Sequence, residues 1–135
     1  MASLEALRAK IPQFPGYGDE RARRVADELV RSYMGEALAL LDERHPEYFV
    51  NIDRYEALIL RTSFMNQGAF KAFEYARMDD QLEQTLHDED IAVVEVADRA
   101  PTVEAASLEA YLDEIAAALD RRDQTMIAAG ASLHS

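Results

Sequence analysis

Residues 52–78, IDRYEALILRTSFMNQGAFKAFEYARM, constrain this chain more than any other stretch, because they are apolar on more than one side of a helix. Ile52, Tyr55, Ile59, Thr62, Asn66, Ala69, Phe73 and Ala76 recur at steps of three and four and so fall in one stripe. Ala57, Leu60 and Phe64 add a shorter second stripe. A helix with two apolar sides needs neighbours on both, which predicts the central helix of a bundle.

The middle of that stretch is uncharged from Thr62 to Phe70, yet Thr62, Ser63, Asn66 and Gln67 are polar. Thr62 and Asn66 lie inside the main apolar stripe, where an amide without a partner costs about 1–3 kcal/mol. An interhelical hydrogen bond or a buried water satisfies such groups in most bundles. The sharper reading is a ligand pocket lined by Thr62, Asn66 and Gln67, with Gly68 allowing close approach, since pockets between helices pair apolar walls with a few polar groups.

The flanking segments read as helices too. Leu4, Leu7 and Ile11 form the apolar edge of a short docking helix that Ser3 can cap and Pro12 ends. PQFPGYG at 12–18 is a turn whose Phe14 and Tyr17 fold back onto the core. Asp19 caps a helix running to Arg44 and His45, with Gly35 a candidate close crossing and Pro46 the break. Asp79 or Asp80 starts the next helix, in which the β-branched run at 91–96 is the place where a strand is the alternative. Thr102 can cap a last helix carrying Leu108, Tyr111, Leu112, Ile115, Leu119 and Met126, ended by Gly130. The expectation is one all-α domain over 1–135, an up-and-down helical bundle of four long helices plus a short N-terminal helix. Residues 125–135 form a tail that frays or packs on another chain.

A chain of 135 residues with 49% hydrophobic side chains is long and apolar enough to bury a core. It has no cysteine, which removes disulfides, thiol nucleophiles and thiolate metal ligands. No apolar run approaches the ~20 residues of a membrane span, and the N-terminus lacks a leader pattern, so the expectation is a soluble cytoplasmic protein without a membrane partner.

Charge is segregated. The net charge is −12, and residues 79–120 hold 13 acidic side chains against Arg99 alone, while 1–78 are nearly balanced with 12 acidic and 11 basic. Such a field disfavours a nucleic-acid backbone as partner and favours a cation or a basic protein surface, with a solvated face as the plainer reading. Asp88, Glu89 and Asp90 sit at its densest point and are the candidate docking surface. Arg21, Arg23, Arg24 and Arg31 form the complementary basic cluster, within one molecule or between two.

Glu83, His87 and Asp90 at i, i+4 and i+7 share one helical face, with Asp79 a turn earlier, and make a candidate carboxylate–imidazole metal set. The Glu-x-x-His pair of di-iron bundles is absent from the sequence, and three ligands on one helix need a second helix to close around an ion. His45 reads as a helix-end residue, and none of His45, His87 and His134 falls in an apolar stripe. No phosphate loop, zinc-type His pair or serine-nucleophile motif occurs, so no cofactor is assigned and the enzyme class is disfavoured. The leading expectation is therefore a non-catalytic interaction or regulatory module, homo-oligomeric, docking a basic partner on 79–120. A small-molecule-binding bundle is the alternative, and an acidic DNA mimic is the minor one.

Overall fold

The structure, a computed structural model, describes the backbone of residues 2–57 and 67–131 and the side chains of 3–57 and 70–131. The described chain is helical without a strand. Its helices are α1 (Ala2–Lys10), α2 (Glu20–Arg44), α3 (Phe49–Glu56, entered through a 3-10 turn at Pro46–Tyr48), α4 (Gln67–Glu74), α5 (Asp80–Asp98) and α6 (Leu108–Ala131). No described helix is long and apolar enough to cross a membrane.

Local signals account for the long helices. Asp19 is extended and its side chain accepts the Ala22 amide at 2.8 Å, which starts α2. Asp79 accepts the Leu82 amide at 2.8 Å in the same way and starts α5. With α5 so capped, the run at 91–96 is helical, and Leu86, Val93, Val94 and Ala97 bury one face. Burial there outweighs the small helical penalty of β-branched residues, about half a kcal/mol each.

Three expected helix-end residues act otherwise. Thr102 does not cap α6: it sits in a 3-10 turn, its hydroxyl donating to the Arg99 carbonyl at 2.9 Å, and α6 begins six residues later. Ser3 lies inside α1 rather than at its cap, and its hydroxyl donates to Asp88. Gly130 is not a terminator either. A Cβ there would lie 2.9 Å from both the Ala72 Cβ and the Phe73 amide, so this glycine allows α6 to cross α4 closely.

The described core is built by α2, α5 and α6, with α1 laid on α5 and α4 pressed against α6. Ile52 and Phe73, from the two ends of the stretch expected at the bundle centre, are both fully buried. They lie on α3 and α4, which flank the residues outside the description. Phe14 and Tyr17 enter the core as expected, from a turn whose Gly16 has φ +82.

Candidate functional site

The buried centre is polar as well as apolar. Arg122 of α6 is fully enclosed, with Nε donating to Asp90 of α5, Nη1 donating to Asp27 of α2 at 2.7 Å and Nη2 donating to the Tyr17 hydroxyl at 3.2 Å. Tyr17 in turn donates to the second oxygen of Asp90. Arg31 continues the network, bonding Asp27 at 3.2 Å and Asp123 at 2.8 Å. Arg23 closes the far end, its guanidinium donating to the carbonyls of Phe73, Glu74 and Ala76, each at 2.8 Å. Burial pushes the Tyr17 hydroxyl well above its usual pKa, so it stays a donor. Burial also opposes charge on Arg122, yet the carboxylates of Asp90 and Asp27 outweigh it and hold the guanidinium charged.

This network relocates the expected metal set. Asp90 is fully buried and committed to Arg122 and Tyr17. Glu83 accepts the Tyr17 amide at 2.8 Å and lies 3.7 Å from His87 Nε2. His87 is buried, against expectation, with the Phe14 and Tyr17 rings packed on it at 6.1 and 6.0 Å. Its two ring nitrogens have no hydrogen-bond partner. Burial lowers its pKa, outweighing the nearby Glu83 and Asp90. Glu83, His87 and Asp90 do not converge on one point: among the described residues the only three acidic or His groups with ligand atoms within 4.8 Å of one another are Asp42, Asp53 and Glu56. That cluster joins the end of α2 to α3. Burial, the bond to Asp53 and the charge of Glu56 raise the Asp42 pKa to about 6. An all-oxygen set of this kind suits a hard divalent cation.

The expected docking surface is also redrawn. Asp90 is not on a surface at all. Glu89 is half-buried and accepts from Thr125 at 2.9 Å, and burial raises its pKa. Asp88 is exposed but accepts from Ser3 and, at 2.7 Å, from Gln84. Other acids of 79–120 turn to different neighbours: Asp98 to Lys10 at 3.0 Å, Asp113 to Tyr55 at 2.6 Å and Glu114 to Arg99 at 2.6 Å. The basic cluster answers other groups, Arg24 pairing with Glu74 and Arg31 with Asp27 and Asp123. Thr62 and Asn66 lie outside the described residues, and Gln67 is described only as the first backbone position of α4.

Five large apolar side chains are exposed among the described residues: Tyr75 after α4, Ile127 on α6 and three in succession where α3 begins. Tyr48, Phe49 and Val50 are 38%, 54% and 56% exposed in succession. Beside them a cleft of 390 Å³ opens between α3 and the start of α6, with Tyr48, Arg54 and Tyr55 on one wall and Leu108, Glu109 and Leu112 on the other. The Tyr55 hydroxyl donates to Asp113 across the cleft, and that bond, with burial, raises its pKa. A wider groove of 530 Å³ at the start of α2 is lined by Arg21, Arg24, Glu74 and Tyr75.

Sequence reasoning missed this arrangement in two ways. Arg122 lies in step with Ile115, Leu119 and Met126, and Asp90 with Leu86 and Val93, so both charges stand inside apolar stripes and were open to recognition. Asp27 and Arg31 are an i, i+4 pair of opposite sign, which ordinarily marks an exposed face. The exposure of Tyr48–Val50 carries no such signal: Tyr48 is in step with Ile52 and Tyr55 of the apolar stripe, and Phe49 and Val50 are apolar neighbours. No protein-family model matches this chain, and no curated protein or solved structure is significantly similar to it.

Proposed function

We propose that the protein is a non-catalytic interaction module whose docking element is α3 and the cleft it forms with α6. The observation that carries this reading is the succession of exposed Tyr48, Phe49 and Val50 where α3 begins, the first of which lines that cleft. Large apolar side chains grouped beside a concave, partly polar wall are what protein interfaces use as anchors. The groups best suited to proton transfer support a structural role: Tyr17, Asp90 and Arg122 bond one another inside the bundle, and neither the α3–α6 cleft nor the α2 groove is lined by a histidine.

A photo-reactive phenylalanine at position 49 tests the reading in the cell that makes the protein. The same group at Ala117, exposed on α6, is the control. A discrete adduct from position 49 alone is expected, and its mass says whether the occupant is another protein or a second copy of this chain. Equal labelling from both positions, or none from position 49, would overturn the proposal.

A further inference from the structure

We infer that residues 2–14, α1 and the start of the turn after it, form a strap over α5 that lifts when His87 takes up a proton. His87 is 3% exposed, and neither of its ring nitrogens has a hydrogen-bond partner. A neutral imidazole carries one N–H donor and one bare lone pair, and both go unmet here, whereas buried polar groups are ordinarily paired. The Phe14 ring packs against the imidazole with centroids 6.1 Å apart, and the Tyr17 ring does so at 6.0 Å.

The groups around His87 divide by element. Those that favour an imidazolium, Glu83, Asp90 and Asp88, stand on α5 itself, Glu83 with an oxygen 3.7 Å from Nε2. Burial opposes it most strongly, with Phe14 as part of the cover, and Arg8 of α1 opposes it by charge. Behind Tyr17, Arg122 of α6 is bonded to Asp90, Asp27 and the Tyr17 hydroxyl, and Arg23 of α2 donates to the Tyr17 carbonyl at 3.1 Å. Both Phe14 and Arg8 leave when the strap lifts, while all three carboxylates stay beside the ring. The lifted form therefore binds a proton more tightly than the closed one, and by linkage acid shifts the balance towards it.

The strap is built to move by itself. α1 packs chiefly on α5, and its polar ties there, Ser3 to Asp88 and Lys10 to Asp98 at 3.0 Å, lie at the surface where such bonds hold weakly. Arg8 Nε donates to the Phe14 carbonyl at 3.0 Å, a bond inside the strap that travels with it. Beyond Phe14 the chain is anchored: the Tyr17 amide is held by Glu83 at 2.8 Å and its hydroxyl by Asp90 and Arg122. Between the two lies Gly16 at φ +82, where a Cβ would stand 3.2 Å from Glu83 Oε2 and 3.8 Å from His87 Nε2, so the turning point sits directly over the titrating pair. Leu7, Ile11 and Phe14 are the buried side chains that keep the strap closed at neutral pH.

Native-state hydrogen exchange of the full chain, read amide by amide by NMR from about pH 7.5 to 5.5 and corrected for intrinsic rates, tests this. The reporters are the amides of Ile11 and Phe14, which donate to the Leu7 and Ile11 carbonyls at 2.7 and 3.0 Å. Amides in the middle of α2 and α6 report unfolding of the whole domain. The reporters should open at least about tenfold more often than these, and their opening constant should rise by up to about tenfold per pH unit below the ordinary histidine value of about 6.5. His87→Leu and His87→Gln should each flatten that rise, and the pH profile of the parent protein stands even where a variant does not fold. If the reporters open only as often as the α2 and α6 amides, acid acts on the whole fold and the inference falls. If they open more often but without dependence on pH, or with the same rise in a folded His87 variant, the strap is not governed by His87 and the inference falls as well.

Discussion

Arg122→Met is the substitution with the largest consequence that this structure implies. Methionine fills a similar volume but removes all the guanidinium donors, leaving Asp90 with only the Tyr17 hydroxyl and Asp27 with only Arg31. Breaking a buried ion pair from one side costs about 3–5 kcal/mol, because the remaining charge stays in a poor solvent. A domain of this size has about 7–15 kcal/mol of stability in all, so the variant should lose roughly a fifth to two thirds of it. Adding Asp90→Leu removes the stranded carboxylate, and the double variant should recover to within about 2 kcal/mol of the parent, the residue of the loss being the Tyr17 hydroxyl without its acceptor. Urea unfolding of the four proteins gives the cycle directly, provided the slopes agree. Burial already raises the Asp90 pKa, and loss of the guanidinium removes the largest opposing influence and leaves mainly the Tyr17 bond, raising it further. A carboxyl whose folded pKa is raised makes the fold more stable as pH falls, so the Arg122→Met deficit should shrink in acid. A single-variant cost below about 1 kcal/mol, or a double variant as poor as the sum of its parts, would refute the buried pair as drawn.

Three further outcomes follow from single contacts. The raised Asp42 pKa, about 6, means that the fold binds a proton more tightly than the unfolded chain, so stability is lost as pH rises from 4 towards 6. Asp42→Asn should remove that loss and stabilise the protein at neutral pH by about 1 kcal/mol, after allowance for partial exposure, as thermal unfolding across pH would read. His87 has the opposite sign: its pKa is lowered, so stability falls as pH drops below the usual histidine value. His87→Leu should abolish that acid sensitivity without destabilising the neutral protein, since both ring nitrogens lack hydrogen bonds. Gly130→Ala should cost about 1 kcal/mol despite the better helix former, because its Cβ meets Ala72 and Phe73 at 2.9 Å, whereas Gly18→Ala meets nothing within 4 Å and should be neutral.

The caps and periodicities of α2 and α5 were legible because Asp19 and Asp79 act through backbone amides a few residues away. Such signals need no tertiary context. The folding back of Phe14 and Tyr17 was legible for a similar reason, two aromatics in a short Pro/Gly turn. What escaped was every feature set by helices meeting. Asp90 was placed with surface acids because its neighbours Asp88 and Glu89 are polar. Only the arrival of Arg122 from α6 makes its burial tolerable. Gly130 resembled a terminator because nothing in the sequence announces that α4 crosses there. Tyr48 is in step with the Ile52 stripe, but a stripe fixes which residues share a face and not whether another element covers it.

The ionic network and the exposed face of α3 are connected by what each helix is asked to hold. Apolar stripes on three long helices would tolerate a slip of one turn with modest loss, since leucine, valine and alanine recur at every turn. Arg122 does not tolerate it: a turn displaces the guanidinium by about 5.4 Å, away from Asp27 and Asp90 at once. Two buried carboxylates on different helices therefore fix the relative register of α2, α5 and α6, a specificity role of the kind buried polar groups serve in coiled coils. α3 takes no part in that network and commits only Ile52 fully to the core. Its other positions are relieved of structural duty. That freedom is what allows Tyr48, Phe49 and Val50 to remain on the surface without loss of the fold, and it is why we propose docking there rather than on the charged helices.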